Sequence, residues 1–174
     1  MSSIEPVVSL PEAQAFLRIE TGDEEALLAG FVRSATALCE SFLGLRLLEQ
    51  EFEEMLKPSG SWQALSVVPV RAVESVQGFP PNGAATLLPS TAYSIDIDAS
   101  GTGWLRLLDP SAISRVRVRG LAGMAATPNE VPEAIRHGLL RLVAHLFADR
   151  DGPGAEPPAA VTALWRPFRR MRLS

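Results

Sequence analysis

The sequence predicts an α+β protein that is mainly a helical bundle with a strand-rich insertion in its middle. Apolar residues recur at helical spacing in two long segments, 22–43 and 131–149, and a shorter helix is predicted over 9–17. Residues 45–120 instead consist of short apolar runs separated by turn residues, which is typical of strands. We therefore expect two N-terminal helices and one long C-terminal helix to form the bundle, with a short helix in the tail.

Capping residues mark the start of both N-terminal helices. Ser9 and Glu12 have the spacing of a capping box, and Pro11 suits the first turn between them. Residues 21–24 (TGDE) repeat this capping pattern before the second helix. Its acidic first turn is favoured by the positive end of the helix dipole. Gly44 has the position of a C-cap and predicts the end of the second helix.

The C-terminal third combines a core helix, a linker and a charged tail. The core helix is the one predicted over 131–149, and residues 151–160 (DGPGAEPPAA) are rich in Gly and Pro, which predicts an irregular linker. The chain thus divides into a domain over 1–150, the linker, and a C-terminal segment over 161–174. Within this segment Pro167 is expected to break or kink the last helix.

Length and composition favour one soluble domain in a reducing compartment. The chain has 174 residues, of which 47% are hydrophobic, enough to bury a core without disulfides or a structural metal. Its single cysteine, Cys39, cannot form an internal disulfide or a four-ligand zinc site. Residues 1–9 lack the regions of a secretory signal, and no uninterrupted apolar run has the length of a membrane span. We expect a cytoplasmic protein.

The sequence holds none of the common signatures of catalysis or nucleotide binding, such as a phosphate loop or a nucleophile elbow. His137 and His145 are eight residues apart on one predicted helix, too far to reach one metal ion, so a solvated face is expected. Cys39 follows an apolar register without a basic neighbour, which predicts a buried, inert thiol. Asp96 and Asp98 alternate on one strand and are expected at a solvated strand end rather than at a cation site. We predict no enzyme, no cofactor and no metal.

Two segments carry charge at alternate positions, so each predicted strand has one charged face. If the strands are neighbours in one chain, these side chains form cross-strand ion pairs. If they lie on different subunits, they form a head-to-tail contact of the kind that closes into rings. A nucleic-acid interface is a weaker alternative, because the net charge is −4 and basic patches interleaved with aromatic residues are lacking. The candidate subunit-interface residues are Glu49, Glu51, Glu53, Arg115, Arg117 and Arg119.

The C-terminal segment has the composition of a docking element. It combines Trp165 and Phe168 with four arginines between 166 and 172, and Trp and Arg dominate the hot spots of protein interfaces. The alternative is an ordinary last helix that packs on its own core and ends in a solvated basic tail. The residues alone leave both alternatives open.

The order of elements and several local strings resemble the head-tail connector, or adaptor, family of long-tailed bacteriophages. The resemblance spans nearly the whole chain and is most specific in the helix that begins Val-Pro-Glu-Ala-Ile. The strings are SLPEAQAFLR (9–18), DEEALL (23–28), RVRVRGLAG (115–123), VPEAIRHGLLRLVAHLFADRD (131–151) and AVTALWRPFRRMRL (160–173).

This resemblance implies a structural virion protein of a phage or of a gene transfer agent, a domesticated phage-like particle. Family members assemble as a ring of about twelve copies beneath the portal and join it to the next component of the neck, a stopper or tail-terminator protein. Their helices surround a channel through which DNA passes without sequence-specific binding. A stopper or another neck or head-completion protein is the alternative role, and a DNA-binding module is a weaker one.

For this chain, the resemblance implies a homo-oligomeric ring, a portal protein as partner and no membrane. It also implies assembly in the host cytoplasm and a final location in the neck of the particle. In the family the C-terminal segment reaches toward the portal. The residues expected to bind the portal are Val161, Leu164, Trp165, Arg166, Phe168, Arg169 and Arg170.

Overall fold

The computed structural model describes residues 5–19, 24–81, 83–149 and 156–170. Within these ranges the chain forms four α-helices and seven β-strands in two antiparallel sheets. The chain divides into two compact units. The helical unit contains the described residues of Met1–Leu48 and Ala125–Ser174, and the sheet unit is Glu49–Met124.

The α+β class is correct, but the prediction of a mainly helical bundle with a long C-terminal helix is wrong. Residues 49–124 are a compact unit with a hydrophobic core of its own. Each strand contributes only a few apolar side chains on one face, so this core arises only when the strands pair and the two sheets pack. The described residues 156–170 are part of the helical unit.

The N-terminal helices are α1 (Leu10–Leu17) and α2 (Glu25–Leu43). The predicted capping box is present: the Glu12 N–H donates to Ser9 Oγ over 3.3 Å, and the Ser9 N–H donates to Glu12 Oε2 over 2.9 Å. α2 ends, as predicted, at Gly44, which adopts the left-handed conformation with φ of 71°. α2 begins at Glu25 rather than at the predicted residue 22, and its N-cap, Glu24, makes no side-chain capping bond, while residues 21–23 lie outside the described part of the chain.

The C-terminal helices are α3 (Glu133–Ala148) and the short α4 (Ala159–Trp165). α4 continues into a single 3-10 turn over Arg166–Phe168, so the predicted break near Pro167 is confirmed. A proline ring cannot follow an interior helical turn without losing a hydrogen bond, which explains why the α-helix ends before it. Of the predicted linker, residues 151–155 lie outside the described part of the chain.

The core of the helical unit forms between stripes of apolar residues on α2, α3 and α4. On α2 the buried positions are three or four residues apart, as expected for one face of a helix. By length and composition α2 could also cross a membrane, a test that core helices of soluble proteins pass as well. The buried residues of the three helices are Leu28, Val32, Ala35, Cys39, Leu43, Ile135, Gly138, Leu139, Leu142, Val143, Val161 and Trp165.

The sheet unit contains a four-stranded and a three-stranded antiparallel sheet. The strand order is β1-β7-β3-β4 in the first sheet and β2-β6-β5 in the second. The strands are β1 (Gln50–Leu56), β2 (Gln63–Ala64), β3 (Val70–Phe79), β4 (Thr86–Leu87), β5 (Tyr93–Ile97), β6 (Gly103–Leu107) and β7 (Arg115–Ala122).

Alternation along the strands sends apolar side chains into the core and charged ones outward. On β7, Val116 and Val118 are buried, while the arginines between and beside them face away from the core. Gly120 is the next buried position of this alternation, and β3 lies so close to it that a Cβ there would lie 2.0 Å from the carbonyl oxygen of Ala72. Leu105 and Leu107 of β6 complete the same core from the second sheet.

Candidate protein-docking surfaces

The two charged strand faces meet within one chain. β1 and β7 are antiparallel neighbours, with Glu53 directly opposite Arg119. Arg119 Nε donates to Glu53 Oε2 over 2.6 Å, and Arg117 Nη1 lies 3.7 Å from Glu53 Oε1. The hydrogen bond from Arg119 is the main cause that lowers the pKa of the Glu53 carboxyl. Of the two arrangements that the sequence leaves open, Glu53 therefore adopts the intrachain one.

The other arginines of β7 are held by the neighbouring strand β3. Arg117 donates from Nε and Nη2 to Gln77 Oε1, over 2.9 and 2.5 Å. Its Cζ lies 5.1 Å from the centre of the Phe79 ring, and Arg115 lies 5.4 Å from the same ring. Two cations beside one ring are attracted by its negative face, so these side chains have a defined arrangement on the sheet surface.

An open groove of about 410 Å³ runs along this surface. The carboxylates of Glu51, Glu53 and Glu74 line it together with Arg119, above the buried Phe52 ring and Gly120. Glu49 lies half-buried one residue before β1. Acidic side chains outnumber basic ones in the groove, so it is complementary to a basic side chain of another molecule. A contact between copies of the chain stays a prediction for all six candidate interface residues. Three of them, Glu53, Arg117 and Arg119, also pair with one another within the chain.

Trp165 is fully buried in the helical unit, with 0% of its surface exposed. Its Nε1 donates to the Ile135 carbonyl over 3.2 Å, and its ring lies 5.9 Å from that of Phe42. Gly138 makes room for it, because a Cβ at that position would lie 2.2 Å from Trp165 Nε1. Val161, one turn earlier on α4, is buried as well. In this structure both side chains therefore attach α4 to its own unit.

The remaining predicted portal-binding residues are accessible at least in part. Arg166 and Arg169 are exposed, and Leu164, Phe168 and Arg170 are half-buried. The Arg169 guanidinium lies 5.1 Å above the Phe42 ring, and the Arg170 N–H donates to the Leu43 carbonyl over 3.0 Å. The segment is thus fixed on the end of α2 with its basic side presented outward. Arg172 lies outside the described residues.

The carboxylate of Asp98 serves its own hairpin rather than a cation. It accepts hydrogen bonds from the backbone N–H groups of Ser100 and Thr102, from Ser100 Oγ and from Trp104 Nε1, over 2.6 to 3.0 Å. These donors hold its pKa well below the usual range, the Ser100 hydroxyl contributing most. Across the described ranges, no three His, Cys, Asp or Glu side chains are grouped so that they could hold a metal ion.

The other candidate reactive groups, Cys39 and His137, pack against neighbouring side chains of the helical unit. Burial raises the pKa of the Cys39 thiol far above its usual value, which makes it a poor nucleophile. The exposed His137 packs edge-on against Phe16, with 6.4 Å between the ring centres.

One exposed surface was missed by the sequence reasoning. The outer face of the three-stranded sheet carries Trp62, Trp104 and Arg106, hereafter the Trp62–Arg106 face. The signal lay in β6, where Trp104 and Arg106 alternate with the core residues Leu105 and Leu107. An aromatic residue and an arginine at the outward positions of a strand indicate an interface surface.

No protein-family model and no curated protein matches the chain. Solved structures do match it over its full length. A chain from the neck of an empty GTA particle, computed with C6 symmetry, is 23% identical with a TM-score of 0.78, covering 100% of this chain and 95% of that one. This chain has the fold of a gene transfer agent protein.

Two further solved structures have a similar fold. A chain from the virion of a native gene transfer agent (GTA) particle has the same TM-score of 0.78 and 23% identity, with 99% of this chain and 95% of that chain covered. A chain from the neck of a native GTA particle, computed with C12 symmetry, has a TM-score of 0.77 and 21% identity, with coverage of 100% and 95%. The fold of this chain thus corresponds to 95% of each of these chains.

Proposed function

We propose that this chain is a structural component of the neck of a gene transfer agent or a related phage-like particle, where it forms a ring that joins the portal to the next neck component. The observation that carries the proposal is the likeness of fold, which extends over both chains almost completely and includes two chains from particle necks.

The ring contact of the proposal involves the charged surface of the four-stranded sheet. Glu53, Arg117 and Arg119 form an intrachain network that fixes the surface, while the groove between Glu51 and Glu74 is complementary to a basic side chain of a neighbouring copy. Glu49 and Arg115 extend the same surface to either side. Such a heterologous contact joins two different surfaces of identical chains and closes into a ring.

The portal contact of the proposal uses the basic side of the C-terminal segment. Arg166, Arg169 and Arg170, with Leu164 and Phe168 between them, meet an acidic and partly apolar surface of the portal. Trp165 and Val161 support this contact from inside, because they anchor the segment to the helical unit. DNA passes the ring without sequence-specific binding, which suits the net negative charge of the chain.

The test is recovery of virion proteins with the tagged chain from cells that produce particles. Truncation at Pro158 would remove Trp165 and open the helical core, so charge reversal is the better variant. Arg166→Glu with Arg169→Glu should lose the portal protein while the ring is retained. Arg141→Glu, a reversal on an exposed position of α3, should recover the portal normally.

The recovered proteins distinguish the roles. Portal protein with the unmodified chain, and its loss in the double variant, would establish the adaptor role. Stopper or tail proteins without portal would mean a different position in the neck. Recovery of no virion protein would contradict the structural role itself.

A further inference from the structure

The outer face of the three-stranded sheet is built from two rows of side chains. In the first row, Ala64 lies opposite Trp104, which lies opposite Asp96. In the second row Arg106 lies opposite Ser94 of β5. The ring of Trp62, the residue before β2, stacks against the Arg106 guanidinium. The buried Leu105 and Leu107 occupy the opposite face of β6, so the two rows point away from the core of the sheet unit.

Arg106 is the unusual member of this face. Its Cζ lies 4.8 Å from the centre of the Trp62 ring, and Trp62 itself is 43% exposed. Its Nε is buried without a hydrogen-bond acceptor among the described residues, and its guanidinium has no ion pair there. A stacked arginine without an anionic partner, beside exposed indole surface, is the composition of an interface hot spot. The missing partner is an acidic group next to an apolar side chain.

The start of α2 offers that combination. Glu24 and Glu25 are exposed and consecutive, and the nearby Leu27 is 43% exposed. Glu24, the N-cap of α2, and Leu27 are three residues apart, a spacing that brings side chains to the same side of a helix. The contact that Glu25 makes, a hydrogen bond of 3.5 Å from Gln14 Nε2, is long and leaves its charge available.

We propose that the Trp62–Arg106 face binds the acidic start of α2 of a second copy of this chain. The inference rests on the proposed ring-forming function and names a contact that would build the ring. Arg106 pairs with a carboxylate of the second copy, and the indole surface of Trp62 covers Leu27. The two surfaces are different, so each copy can offer one to each neighbour, and the repeated contact closes a ring.

Site-specific crosslinking in cells that produce particles tests which molecule occupies this face. A photoreactive phenylalanine analogue at Ala64 samples the face and leaves Trp62, Trp104 and Arg106 intact. The expected product is a covalent dimer of the chain in which mass spectrometry finds a peptide from the start of α2. Crosslinks to another virion protein, or to DNA through stacking of bases on the indoles, would overturn the proposal.

Charge reversal gives an independent test on the full-length chain. Arg106→Glu should reduce ring assembly about tenfold or more relative to Arg141→Glu, with unchanged thermal unfolding of the isolated protein. Combining Arg106→Glu with reversal of both carboxylates at the start of α2, Glu24→Arg and Glu25→Arg, should restore assembly. Normal rings from Arg106→Glu, or no rescue by the reversals on α2, would reject this contact. If the unmodified chain joins no particle, the proposed function fails instead of the contact.

Discussion

At the scale of single residues, the surroundings of Trp165 decide what its side chain can do. A tryptophan beside several arginines is the composition of a docking anchor, and the sequence could not exclude this. The structure supplies an acceptor on Ile135, an aromatic neighbour in Phe42 and the space over Gly138, so the whole ring is buried. The missing Cβ of Gly138 is therefore a requirement of α4 packing.

Gly138→Ala should destabilise the helical unit by about 1–3 kcal/mol, because the added Cβ would lie 2.2 Å from Trp165 Nε1 and force the ring to move. Gly30→Ala is the matched control, since a Cβ at that helical glycine meets only the end of the Arg33 side chain at 3.9 Å. The control should be stabilised by up to about 1 kcal/mol through helix propensity. Denaturant unfolding measures both, and equal effects would contradict the packing role.

The thiol of Cys39 should resist alkylation while the protein is folded. Burial raises its pKa far above its usual value, so the reactive thiolate is scarce and the sulfur is inaccessible. Iodoacetamide at about pH 8 should label it only when denaturant unfolds the helical unit. Rapid labelling in buffer, detected by mass spectrometry, would mean that α2 opens readily from the core.

At the scale of elements, the β5–β6 hairpin depends on one carboxylate. Asp98 accepts four hydrogen bonds from donors on its own loop and on Trp104, which is why the loop has a defined shape without a metal. The sequence predicted the strand end at this point but assigned Asp98 to solvent. Its donors are two to six residues away, and only the turn of the backbone brings them together.

Asp98→Asn should lower the melting temperature, because an amide cannot accept from all of these donors at once. The folded pKa of Asp98 is lowered below the value of about 3.9 in an unfolded chain. The contribution of the carboxylate is therefore complete above about pH 5 and is lost as the pH falls through the folded pKa. The difference in melting temperature from wild type should be constant above that pH and shrink below it.

The matched control is Asp96→Asn, a neutralisation at an exposed position of the same strand. It should leave the melting temperature nearly unchanged at all pH values. An Asp98→Asn difference that persists unchanged in acid would mean that the loop does not depend on the ionised carboxylate.

At the scale of the whole molecule, the chain consists of a discontinuous helical unit and a continuous sheet unit. The sheet unit has its own core, formed where β3 and β7 of one sheet face β5 and β6 of the other. A continuous segment with an independent core and complete strand pairing has what a domain needs to fold alone.

A fragment of residues 49–124 should therefore fold without the helices and unfold in one cooperative transition. Circular dichroism and thermal denaturation measure this directly. Val118→Asp, a charge in the centre of the core, is the control variant and should abolish the transition. A fragment that shows no transition, like this control, would mean that the sheet unit depends on the helical unit.

Local sequence patterns predicted the helices, the caps at Ser9 and Gly44, and the strand-rich middle. Capping boxes, C-cap glycines and apolar periods act over three or four residues, so Ser9, Gly44 and the stripe of α2 could be located from local pattern. The resemblance to the head-tail connector family came from local strings of the same kind and from the order of the elements.

How these elements combine, and which side chains remain accessible, depends on tertiary contacts. Pairing of β1 with β7 joined Glu53 to Arg119, packing of α4 on α3 buried Trp165, and pairing of β2 with β6 exposed Trp62 beside Arg106. Each of these contacts joins residues at least 30 positions apart. Local pattern cannot specify such a partner, because it depends on strand register and helix packing over the whole unit.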